Sequence, residues 1–111
     1  MKRYYEIALL QHVQGSVEDD YESVYFESAG GYRSCAKKAK ELSKHIGKTH
    51  VPGIPFQFKQ RISAPDFPQQ PLDEGLAAVM IVCYTETAYT AYEPLYYEYY
   101  RDGKVDYKIE F

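Results

Sequence analysis

Tryptophan is absent from this chain of 111 residues, and cysteine and methionine occur only twice each. Two isolated cysteines, Cys35 and Cys83, lack the ligand spacing of a zinc site. Each sits in an apolar pattern, one helical and one strand-like, where a free thiol behaves as a small hydrophobe. Reduced thiols and a cytoplasmic setting are expected, while the sequence leaves open whether the two are close. No apolar run approaches the roughly 20 residues of a membrane span. Lys2 and Arg3 begin the chain, but the following segment contains Glu6 and leads to no small-residue cleavage site, so no signal peptide is expected. Gly30-Gly31 has neither the spaced glycines nor the Lys-Ser/Thr of a phosphate loop, and reads instead as a flexible lead-in to a helix.

Other catalytic and metal signatures are equally thin. His45 and His50 straddle a helix end and share no helical face, and with His12 they read as ordinary surface histidines. The Ser34-x-x-Lys37 string stands without a further catalytic motif. Glu18, Asp19 and Asp20 lack the spaced oxygen ligands of a calcium loop and fit a solvated turn. No catalytic residue, cofactor or metal is expected.

What the chain has in excess is tyrosine, 13 residues against 5 phenylalanines. A tyrosine buries a large ring but carries a hydroxyl that needs a partner or water. A core of this size cannot easily satisfy so many, so a good share should stand half-exposed on a sheet, as amphipathic strands or as a recognition surface. The chain is 45% hydrophobic and 26% charged, too apolar for disorder, and its length suits one α+β domain over residues 1–111.

Periodicity sets the expected elements. Residues 3–13 alternate, with Tyr5, Ile7, Leu9 and Val13 on one face, and residues 21–28 form a second strand with Val24 and Phe26 inward. Tyr32, Cys35, Ala36, Ala39, Leu42 and Ile46 recur at helical steps, predicting a helix over 32–46 that Gly47 terminates. Residues 56–62 alternate as a third strand, and the apolar run 76–84 reads as a central one. Asp102-Gly103 between alternating segments predicts a hairpin closed by a type I′ turn. A two-residue loop sets Arg101 opposite Lys104, Tyr100 opposite Val105, Glu98 opposite Tyr107 and Tyr96 opposite Ile109. The core face would then carry Tyr96, Glu98, Tyr100, Val105, Tyr107, Ile109 and Phe111, with Glu98 as its misfit. The water face would carry Leu95, Tyr97, Tyr99, Asp106, Lys108 and Glu110. The order β-β-α-β-β-β-β predicts one antiparallel sheet of about five to six strands with a single helix packed on one face. Its other face would be shielded by tyrosines or by a partner. Tyr5, Ile7, Leu9, Val24, Phe26, Cys35, Ala39, Leu42, Ile46, Phe58, Val79, Ile81 and Phe111 are the expected core.

Charge is segregated along the chain. Residues 1–32 carry −4, residues 33–61 carry +7 and residues 62–111 carry −6, within a formal net charge of −3. Three functional readings follow. The first is a non-enzymatic protein that binds a macromolecular partner through a Tyr-rich, acidic sheet surface: Tyr97, Tyr99, Asp106, Lys108 and Glu110. Small size and acidity suit an inhibitor, for example a phage- or mobile-element-encoded one acting on a nucleic-acid-handling machine. The second is a nucleic-acid-binding module using Lys37, Lys38, Lys40, Lys44 and Arg61. The third is a small ligand-binding domain or enzyme. Pro65, Pro68 and Pro71, spaced for one edge of a polyproline II helix, mark a rival contact loop or a rigid crossover.

Overall fold

A computed structural model describes residues 2–13, 20–59, 75–85 and 93–111. Its elements are β1 (Arg3–His12), β2 (Tyr21–Glu27), α1 (Tyr32–Ser43), β3 (Ala78–Thr85), β4 (Tyr96–Arg101) and β5 (Lys104–Glu110). Among the described residues the strands form one antiparallel sheet in the order β2-β1-β3-β4-β5, and α1 lies across one face. The apolar run expected to be central is β3, flanked on both sides and buried from Val79 to Cys83. β-branched residues at its centre suit a strand packed on two faces.

The helical stripe predicted from spacing is the one that packs. Cys35, Ala36, Ala39 and Leu42 are buried with Ile7, Leu9, Val79, Ile81 and Tyr100. The helix ends at Ser43, three residues earlier than its apolar pattern suggests. Lys44, His45 and Ile46 continue in a tighter turn bonded to carbonyls three residues back. Gly47 follows with φ +92°, and its N–H donates to Leu76 at 2.8 Å instead of prolonging the helix. Val51, Ile54 and Phe58 close the core beyond the helix end. Gly75 is required there: it has φ +67°, and a Cβ would stand 2.1 Å from the Lys48 carbonyl oxygen.

Several expectations are corrected. Residues 56–59 of the expected third strand lie outside the sheet: Phe58 N–H bonds to Thr49, and Lys59 accepts from Gly75. Residues 60–62 are outside the described residues, as are Glu18, Asp19, Arg61 and the loop carrying Pro65, Pro68 and Pro71. Phe26 pairs with Ala8 on the face away from α1 and is 54% exposed. A shift of register between β1 and β2, at Leu9/Leu10, leaves Val24 without a partner, so strict alternation does not run through β2.

The largest correction is in the hairpin. The turn forms as predicted, with Asp102 at φ +53° and Gly103 at φ +80°, and Arg101 faces Lys104 and Tyr100 faces Val105. A bulge then intervenes, leaving Asp106 as the extra residue. Beyond it Tyr99 faces Tyr107, Glu98 faces Lys108, Tyr97 faces Ile109 and Tyr96 faces Glu110. One inserted residue exchanges the two faces of everything after it. Tyr107, Ile109 and Phe111 therefore leave the expected core face and are exposed, Phe111 by 72%. Val105 keeps its expected partner but is exposed at the sheet edge.

Candidate functional site

The face of the sheet opposite α1 is apolar at its centre and aromatic above it. Ala8, Leu10, Met80 and Val82 are buried there, and Tyr84, Tyr97 and Tyr99 pack over them. The hairpin extends this layer: Tyr99 stacks on Tyr107 with centroids 4.5 Å apart, and Tyr97 meets Phe111 edge-on at 4.9 Å. Offset and edge-on rings are the arrangements that the aromatic quadrupole favours. On the far side Tyr21 packs on His12 at 4.6 Å. Between these rows lies a groove of about 370 Å³, lined chiefly by Leu10, Tyr21, Met80, Tyr97, Tyr99 and Tyr107, with Asp20, Arg101 and Asp106 contributing charge.

The groove gathers three of the five residues proposed from sequence: Tyr97, Tyr99 and Asp106. The other two are placed elsewhere. Lys108 and Glu110 pair with Glu98 and Tyr96 on the helix side of the sheet, where the Lys108 ammonium sits 4.0 Å from the Tyr96 ring centroid and 3.2 Å from the Glu110 carboxylate. Tyr107 and Phe111 belong to the groove face in their stead. Only the bulge puts them there, and no residue pattern in the hairpin announces it.

Burial and three neighbouring phenols, Tyr107, Tyr97 and Tyr21, raise the pKa of Tyr99 above its ordinary value. The Tyr99 ring therefore stays neutral and offers its hydroxyl as a donor. Arg101 and Asp106 approach to 3.8 Å, and both remain more than 40% exposed, so this pair is a solvated, weak one. Such a surface can stack rings and exchange hydrogen bonds. Among the described residues no group of three His, Cys, Asp or Glu is arranged to hold a metal ion.

On the other face the sequence's misfit finds its place. Glu98 is 8% exposed, and one of its oxygens accepts hydrogen bonds from the hydroxyls of Tyr32, at 2.5 Å, and Tyr100. The first links the N-terminal end of α1 to β4. Burial, then the bond to Glu98, raises the pKa of both phenols. A raised folded-state pKa stabilises the fold below the unfolded value, near pH 10, and that contribution is lost as pH rises further. Melting temperature should therefore fall more steeply above about pH 10 in the wild type than in Tyr100→Phe. Equal slopes in a thermal scan across that range would show that the Tyr100 proton is not coupled to folding.

The basic helix surface is partly committed. Lys38 is paired with Glu27 of β2, and Lys44 with Glu41 at 2.9 Å, leaving Lys37 and Lys40 exposed between them. Both cysteines are buried and unbridged. No helix among the described residues is long and apolar enough to cross a membrane. No protein-family model matches this chain, and no curated protein sequence or solved structure matches it.

Proposed function

We propose that this protein is a non-enzymatic binding module that engages a protein partner through the aromatic groove on the sheet face opposite α1. The observation that carries the reading is the concentration of exposed large apolar side chains on that face: Tyr21, Phe26, Tyr107, Ile109 and Phe111, beside half-buried Tyr97 and Tyr99. Tyrosine-rich surfaces of this kind offer rigid contact area and polar handles together, which suits protein recognition. Carboxylates of Asp20 and Asp106 among stacked rings also resemble the phosphates and bases that a nucleic-acid-handling protein binds, which supports an inhibitor of such a machine as the finer reading. The two ion pairs on the helix surface weigh against the nucleic-acid reading, because they already neutralise half of the four described lysines that would meet phosphates.

The test is affinity capture from the native host, followed by titration of the captured protein. Tyr99→Ser combined with Tyr107→Ser removes the stacked pair. Truncating an anchor of an interface costs about 2 kcal/mol or more, so affinity should fall by at least about 30-fold. Unchanged affinity in a folded double variant, or binding lost instead through Lys37→Glu with Lys40→Glu, would move the contact off the groove.

A further inference from the structure

β5 is an edge of the sheet, all seven of its residues are exposed, and among the described residues no strand lies on its outer side. The Phe111 N–H donates inward to the Leu95 carbonyl at 3.0 Å. Inward- and outward-facing residues alternate in an antiparallel pair. The main-chain groups of Ile109 and Tyr107 therefore also turn toward β4, and those of Lys108 and Glu110 turn outward. The bulge at Asp106 precedes this stretch, so pairing is regular from Tyr107 onward.

We propose that β5 is the contact of a symmetric homodimer, in which the edges of two copies pair antiparallel about a two-fold axis at Ile109. In this register Lys108 of each copy faces Glu110 of the other, and their outward main-chain groups exchange the ladder hydrogen bonds. Ile109 meets Ile109, and Tyr107 meets Phe111. The charged pairs fall on one face of the joined sheet and the apolar pairs on the other. Neighbouring registers lack this match. An axis at Lys108 sets Lys108 against itself and Asp106 against Glu110, and like charges directly opposite are destabilising. An axis at Tyr107 runs through the bulge, which puts Val105 and Ile109 on opposite faces. The other sheet edge, β2, carries Glu22 and Glu27 with no basic side chain, so it cannot match itself. Self-pairing of one patch closes as a dimer, whereas β2 on β5 would build a ring or an open filament. The dimer would also join two aromatic faces into one surface, though it stands independently of what that surface binds.

Sedimentation equilibrium of the intact protein over a wide concentration range tests this without any partner. The mass should rise from 12.9 kDa toward twice that value. Lys108→Glu and Glu110→Lys, each alone, should weaken association at least about tenfold by placing like charges opposite each other. An equimolar mixture of the two variants should associate again, because each pair is then opposite in sign. Glu110→Lys preserves the Lys108 contact with Tyr96, so it remains informative if Lys108→Glu unfolds. Circular dichroism of each variant checks the fold. A wild type that stays at 12.9 kDa, association unaffected by the reversals, or masses growing beyond two copies would each overturn the proposal.

Discussion

Leu42→Ala is expected to lower the unfolding free energy by about 2–5 kcal/mol, read as a shift of the urea midpoint. Leu42 is 5% exposed and lies at the end of the helical stripe, in one buried cluster with Ile7, Leu9, Val79, Ile81 and Tyr100. Removing three carbons forfeits their burial and leaves a cavity among strands that hydrogen bonds hold in place, so the site cannot simply collapse. A single helix covers this face among the described residues, and no neighbouring helix can slide in to compensate. A loss within about 0.5 kcal/mol, the ordinary range of surface substitutions, would show that the helix is not held to the sheet by this packing.

Glu98→Ala should destabilise by about 2–4 kcal/mol. The carboxylate is the common acceptor for the hydroxyls of Tyr32 and Tyr100. Tyr100 is 2% exposed, so without Glu98 its hydroxyl is left buried and unpaired, while the more exposed Tyr32 can turn to water. The desolvation of Glu98 itself works the other way and keeps the loss below the sum of two charged hydrogen bonds. Glu98→Gln retains an acceptor oxygen and should cost about half as much or less. Equal losses for the two substitutions, measured by chemical denaturation at neutral pH, would mean that the charge of Glu98 and not its hydrogen bonding holds α1 to β4.

Glu98 marks where local reading stops. Period-two alternation places it on the core face, and it is there. What makes a carboxylate tolerable at that position is Tyr32, 66 residues away in the chain, brought within 2.5 Å by the packing of α1. Phe26 and Phe111 fail in a related way. Both are apolar residues in strand patterns, but β2 and β5 are the outermost strands among the described residues, and a bulge in each shifts which face a side chain takes. The groove depends on the same event. Tyr97 and Tyr99 are legible as off-core rings, but Tyr107 and Phe111 join them only through the extra residue at Asp106.

The sequence by itself determined the antiparallel sheet with one helix, the stripe by which that helix packs, the central place of the apolar strand and the Asp102-Gly103 turn. Each of these rests on spacing within a few residues, where burial periodicity and backbone sterics act locally. Tertiary structure alone decided the bulge registers, the faces of the terminal strand, the partners of Glu98 and the meeting of Tyr21 with the hairpin tyrosines in one groove. Those depend on which strands lie side by side, and a one-residue slip between neighbours changes no local spacing yet turns every later side chain to the opposite face.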